Sequence, residues 1–248
     1  MVLPGFTSTK PFWKSRRYTP SHRYADTPPG GGQYLAVGDF DHNGTPDLIV
    51  AHASNLVGLL LNTSTPTGAQ PTVSTVAISN GAAQRSIVKD IEVTFSTQVT
   101  IAAGAFTLTR VGLPNGVPGD NATVVAGFTT QVVNGGTVAT LTFSGANTDF
   151  GSLQDGTWTL TVDHTKVTAT SGGTPMAADY TQTGIRRLFG DSDGNGTVDA
   201  LDLLRLRTTF GKVSTDPGFL AYFDFDGSGA VDALDLLRFR QRFGTVLP

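Results

Sequence analysis

Cysteine is absent from the 248 residues, and glutamate nearly so: Glu92 stands alone beside nineteen aspartates. Without cysteine there are no disulfides, no thiol nucleophile and no thiolate metal site, and the redox compartment stays open. Exposed helix faces ordinarily carry Glu and Lys, so the shortage of Glu argues against long surface helices and for loops, turns and strands. No run of 18 apolar residues occurs, so nothing reads as a membrane span. The opening stretch, MVLPGFTSTKPFWKSRR, has no apolar segment of signal-peptide length. A formal charge of −3 gives no basis for a nucleic-acid partner.

What is present is aspartate in clusters. Eleven of the 20 acids fall in three short segments, which solubility alone does not explain. Residues 1–32 are rich in Pro, Gly, Arg and aromatics and read as an irregular, solvated arm. Residues 33–63 read as three short strands around a polar turn, and residues 64–71 as a linker. Residues 72–184 show strand-length alternation of apolar residues with Thr or Ser, broken by Gly, Asn and Asp, which suggests a β-sandwich. Residues 185–248 change to helical spacing. The fold class expected is mainly β with a small α-helical C-terminal module.

That module states one pattern twice. From Asp191 and from Asp224, 33 positions apart, 15 of 21 aligned residues are identical. A twelve-residue calcium loop draws oxygens from positions 1, 3, 5, 7, 9 and 12, with Gly at 6 for the turn. The first copy offers Asp191, Asp193, Asn195, Thr197 (its carbonyl), Asp199 and Asp202, with Gly196 at the turn. The second offers Asp224, Asp226, Ser228, Ala230 (its carbonyl), Asp232 and Asp235, with Gly229 at the turn. An all-oxygen set suits Ca²⁺ and disfavours zinc and copper. Four carboxylates in one loop repel one another without a cation, so the metal-free module should be marginal. Val198 and Val231 at position 8 are expected to pair the two loops. Leu201, Leu203, Leu204 and Phe210, with Leu234, Leu236, Leu237 and Phe243, are expected to form apolar faces that the two helices bury against each other, with Gly211 and Gly244 as stops.

Duplicated loop-plus-helix units, Asp at position 12 and weak entering helices resemble the dockerin type I repeat. The resemblance implies a calcium-folded module that plugs into a cohesin-like partner or another surface protein. Dockerins often carry hydroxylated residues just before position 12; here stand Ala200 and Leu201, and Ala233 and Leu234.

Upstream, DFDHNGTPD places Asp39, Asp41, Asn43, Thr45 (carbonyl) and Asp47 at positions 1, 3, 5, 7 and 9, with Gly44 at 6. Strands flank it, and the stretch resembles the calcium loop of an FG-GAP or VCBS propeller blade, a third calcium site. Since one blade cannot bury both faces alone, further blades are expected outside this chain. Residues 72–184 resemble bacterial Ig-like domains, with Trp158 expected in the core.

Nothing reads as catalytic. Alternation in DIEVTF makes Glu92 face solvent, His22, His42, His52 and His164 are scattered, and Asp149, Asp155 and Asp163 sit where turn duty is usual. The expectation is a non-catalytic, calcium-binding C-terminal region of a secreted bacterial multidomain protein, extracellular or at the cell surface. Two alternatives stand beside it. One is the docking tail of a polysaccharide-degrading glycoside hydrolase whose catalytic domain lies outside this chain; the other is a calcium-stiffened adhesin stalk.

Overall fold

The computed structural model describes residues 34–40, 46–52, 56–62 and 69–247. The arm proposed for residues 1–32 lies outside them. Two compact units divide at residue 68. In the first, β1 (Tyr34–Gly38), β2 (Asp47–His52) and β3 (Leu56–Leu60) form an antiparallel meander. Leu35 pairs with Val50 and Val50 with Gly58. Three strands are thus present where the sequence put them.

The second unit holds, in chain order, β4 (Val73–Ile78), β5 (Asp90–Phe95), β6 (Val99–Ile101), β7 (Phe106–Leu113), β8 (Val117–Pro118), β9 (Thr123–Val125), β10 (Gly127–Val133), β11 (Gly136–Thr142), β12 (Thr148–Asp149), β13 (Ser152–Leu153), β14 (Gly156–Val162), β15 (Val167–Ala169) and β16 (Tyr180–Arg187). One antiparallel sheet runs β10-β11-β5-β4. A second runs β16-β14-β7-β8, with β9 also on β7, and two small sheets pair β12 with β13 and β15 with β6. Alternation decides which side chains enter the core: Ile91, Val93 and Phe95 of β5 are buried while Asp90, Glu92 and Thr94 are not. Trp158, Leu160 and Val162 of β14 are buried opposite them, in a core shared by both sheets. Trp158 Nε1 donates to the Gln154 carbonyl at 3.0 Å, so the indole is core, as expected.

A second core joins the sandwich to the repeats. Ile87, from the segment between β4 and β5, packs with Leu188, Phe189, Val198, Leu206, Phe223, Phe225, Val231, Phe239 and Leu247. Strand β16 runs through residues 184 and 185, so the last strand of the sandwich leads directly into the first loop.

Two helices follow, α1 (Ala200–Thr209) and α2 (Ala233–Arg240). The architecture is therefore mostly β with two C-terminal helices. α1 ends as expected, with Gly211 following the cap residue Phe210 at φ +81°. α2 ends earlier, at Arg240, and Gly244 closes an irregular turn beyond it. The entering element of the second loop is a single 3₁₀ turn, Ala221–Phe223, preceded by Leu220.

The helix faces differ from expectation. Leu206 and Phe239 turn inward and Leu203 and Leu236 are half-buried, but Leu201 and Leu204 are 61% and 60% exposed and Leu234 and Leu237 are 40% and 52% exposed. Phe210 and Phe243 are also exposed. The cause lies at position 12. Asp202 and Asp235 are buried, so the residues four and seven positions on, Leu206 and Thr209 in α1 and Phe239 in α2, share their inward stripe. The leucines at other spacings are turned out.

Candidate metal centre

Each repeat loop is a ladder of side-chain oxygens accepting from backbone amides. Asp191 Oδ1 accepts from Gly194 N at 2.8 Å and its Oδ2 from Gly196 N at 3.0 Å. Asp193 Oδ1 accepts from Asn195 N, and Asn195 Oδ1 from Thr197 N. The second copy repeats the pattern: Asp224 accepts from Ser228 N and Gly229 N, Asp226 from Ser228 N, and Ser228 Oγ from Ala230 N. Gly196 and Gly229 sit at φ +86° and +84°, the left-handed turn that position 6 requires.

The position-12 carboxylates do two jobs. Asp202 Oδ2 accepts from Asp199 N at 2.9 Å, closing a capping box in which Asp199 Oδ1 accepts from Leu201 N. Asp235 and Asp232 do the same for α2. Meanwhile Asp202 Oδ1 accepts from Ser192 N, and Asp235 Oδ1 from Phe225 N, both at 2.8 Å. Folding the helix thus carries the twelfth residue back onto the second.

As a result Asp191, Asp193 and Asp202 bring carboxylate oxygens within 4.8 Å of one another, and so do Asp224, Asp226 and Asp235. Within each trio only the position-3 residue is not buried. Burial pushes the Asp191 carboxyl up to about 6; its two amide bonds oppose the rise, and Asp202 and Asp193 add to it. Burial raises the Asp235 carboxyl as well, against the amides of Asp232 and Phe225. Buried, mutually repelling carboxylates suit a hard divalent cation. Asp199 and Asp232 lie outside the trios; as cap residues they fit the ninth position of such loops, which often acts through water.

The expected pairing of Val198 with Val231 does not form. Val198 N donates to Thr245 O and its carbonyl accepts from Gly244 N. Val231 N donates to Lys212 O and its carbonyl accepts from Gly211 N. Leu247 N donates to Gly196 O, and Ser214 N to Gly229 O, completing the symmetry. Each loop is therefore closed by the segment leaving the other copy's helix. Those exit segments occupy the amide and carbonyl of each valine, which leaves no free backbone group at position 8 for a loop–loop bridge.

Between the helices lies a groove of about 500 Å³. Leu203, Leu206, Arg207 and Phe210 form one wall, and the residues 33 positions later, Leu236, Phe239, Arg240 and Phe243, form the other.

The upstream loop is only partly described. Asp41, Asn43 and Thr45 lie outside the described residues. Asp47 is buried, and accepts from Phe40 N at 2.8 Å and Asn62 N at 2.7 Å, tying the turn to the end of β3. Asp39 stands directly after β1, where the turn begins.

Sequence reasoning missed the residues that fasten the loops to the sandwich. Asp155, read as a turn residue, accepts from Arg187 Nη1 (2.7 Å), Phe189 N (2.8 Å) and Arg242 Nε (2.6 Å). Asp149 also pairs with Arg187, at 3.0 Å. Asp163 does keep turn duty, accepting from Thr165 N. Ser86 Oγ donates to Tyr222 O at 2.6 Å and accepts from Gly190 N at 2.8 Å. No local signal marks these residues, whose partners stand 32 to 136 positions away. A third polar trio, Asp163, His164 and Asp179, lies on the sandwich surface, where His164 Nδ1 and Asp179 Oδ1 pair at 2.7 Å and Lys166 pairs with Asp163.

Among known families, the model of the Dockerin type I domain matches residues 189–244. Among solved structures, a type II cohesin–X–dockerin complex from Acetivibrio cellulolyticus aligns at 20% identity and a TM-score of 0.24, over 58% of this chain and 83% of that one. No curated protein matches. No helix among the described residues is long and apolar enough to cross a membrane.

Proposed function

We propose that residues 185–248 form a calcium-ordered attachment module of dockerin type, which joins this chain to a cohesin-like partner. The observation that carries the reading is the convergence, in both repeats, of carboxylates from positions 1, 3 and 12 onto a point beside a glycine turn. The family match spans both loops and both helices. Asp191, Asp193, Asn195, the Thr197 carbonyl and Asp202 would hold one Ca²⁺, with Asp199 behind a water. Asp224, Asp226, Ser228, the Ala230 carbonyl and Asp235 would hold the second, with Asp232 in the same supporting place. Bound calcium would supply positive charge that offsets carboxylate repulsion. The residues of the chain do the rest: the position-12 aspartates start each helix, and the helices bring Leu206 and Phe239 into the core. An extracellular setting, with calcium near millimolar, would suffice for sites of about 10⁻⁴ M affinity or tighter.

The partner surface would be the outward helix faces. Leu201, Leu204, Leu234 and Leu237 present apolar area there, with Arg207 and Arg240 exposed between them. Ala and Leu replace hydroxylated residues before position 12, so the complementary face would be apolar and flanked by carboxylates. In the same reading the chain is non-catalytic and extracellular, residues 72–184 are an Ig-like spacer, and residues 33–63 are a propeller-blade segment whose Asp39–Asp47 turn is a third calcium site.

Titration calorimetry of the metal-stripped full chain with calcium chloride, followed by retention on a panel of immobilised cohesins with and without chelator, tests this. Heat from the two repeat sites, beside that of the Asp39–Asp47 turn, and chelator-sensitive retention support it. Absence of heat would remove the calcium reading, and retention by no cohesin would remove the attachment reading.

A further inference from the structure

The two repeat copies differ at position 2, Ser192 in the first and Phe225 in the second, and the difference coincides with where the sandwich touches them. Ser192 stays within its own copy, its hydroxyl donating to Asp202 Oδ1. Phe225 is buried at the seam with the sandwich. Its ring meets Phe189 and Phe150 edge-on at 4.9 and 5.7 Å, and the guanidinium groups of Arg187, Arg238 and Arg242 lie 5.2–5.7 Å from its centroid. Its amide meanwhile donates to Asp235 Oδ1, so one residue touches both the second carboxylate trio and the seam.

The sandwich side is shaped for this contact. Phe150 occupies the tip of the β12–β13 hairpin at φ +50°, a backbone region unfavourable for a bulky residue and natural for glycine. Beside it, Asp149 and Asp155 hold the buried Arg187. At the other loop, Arg85 N donates to the Asp191 carbonyl at 2.9 Å, and a Cβ on Gly194 would stand 2.0 Å from the Ala83 carbonyl. Ser86 lies between the loops, and its one hydroxyl bonds the residue before Asp191 and the carbonyl two residues before Asp224. Both loops therefore start from a common fixed point that belongs to the sandwich.

We propose that the sandwich is a working part of the metal module: Ser86, Phe150 and Asp155 position the two loops, and ion binding and sandwich stability form one linked equilibrium. The inference rests on the calcium reading above. A ligand that binds only the ordered loops stabilises whatever must be folded to order them. On this account Ser86 and Phe150 are positioning residues, acting on the ion through Gly190, Tyr222 and Phe225.

The test uses the full chain and calcium chloride. Hydrogen exchange in calcium against chelator should show added protection at residues 82–87 and 148–155 as well as in the loops. Ser86→Ala should weaken calcium binding about tenfold, as the buried Gly190 amide and the half-buried Tyr222 carbonyl lose their bond. Phe150→Gly suits the turn and removes only the ring contact, so it should fold and still bind calcium about threefold more weakly. Val162→Ala, a cavity in the distant sandwich core, should lower the melting temperature and leave calcium affinity unchanged, which separates positioning from general support. Calcium heat with protection confined to residues 190–247 and unaltered affinity in Phe150→Gly would overturn this inference alone. No calcium heat in the parent chain would overturn the calcium reading and this inference with it.

Discussion

Arg242 Nε donates to Asp155 Oδ2 at 2.6 Å, across the seam between the last helix's exit and the sandwich. The other oxygen of that carboxylate serves Arg187, which is wholly buried, and the Phe189 amide. Removing the acid strands a buried guanidinium whose remaining counter-charge is Asp149. Asp155→Ala is therefore expected to lower unfolding free energy by about 3 kcal/mol. Chemical denaturation with an unchanged slope is the measurement; a loss under half that would show the seam to be weak.

The pH response of the metal-free chain follows from Asp191. Its carboxyl is raised by burial to about 6, above the ordinary carboxylate range. Between about pH 4 and 6 the folded chain therefore holds more protons than the unfolded one, so its stability falls as pH rises through that window and levels above it. Calcium affinity should run the opposite way, because the ion displaces the proton, and be about tenfold weaker at pH 5 than at pH 7. Melting curves in chelator and calorimetry at the two pH values check both signs.

Asp202→Asn separates the cap from the charge. The amide oxygen can still accept from the Asp199 amide, while the first trio loses a carboxylate. Calorimetric stoichiometry is expected to drop by one ion, with α1 retained by circular dichroism in excess calcium. An unchanged stoichiometry would exclude Asp202 as a ligand.

The outward leucines should matter to a partner and not to the fold. Leu204→Asp together with Leu237→Asp alters two exposed positions and is expected to shift stability by no more than about 0.5 kcal/mol each. Retention on a cohesin that holds the parent chain should be lost. The inward counterpart, Phe239→Ala, should instead cost about 3–5 kcal/mol.

The converging carboxylates were legible because each trio lies within twelve residues, so spacing alone brings its members together; the same holds for β5, where period two separates Ile91 from Glu92. The rotation of the helices was not legible from leucine content. It follows from burying Asp202 and Asp235, a polar requirement that overrides the apolar pattern and turns Leu201 and Leu204 outward. Nor could one sequence pair Val198 with Thr245, or Ser86 with Tyr222. Such bonds depend on how separately spaced segments meet, and serine in a loop carries no mark of its future partners.

The crossed closure of the loops also sets an order of events. Val198 and Gly196 wait for Gly244, Thr245 and Leu247, which a ribosome adds after both helices. The first loop is thus synthesised early and finished last, so a nascent chain emerging through the exit tunnel carries an unlatched acidic loop until those residues are free. An arrested chain ending before residue 244 should remain protease-sensitive around its first loop.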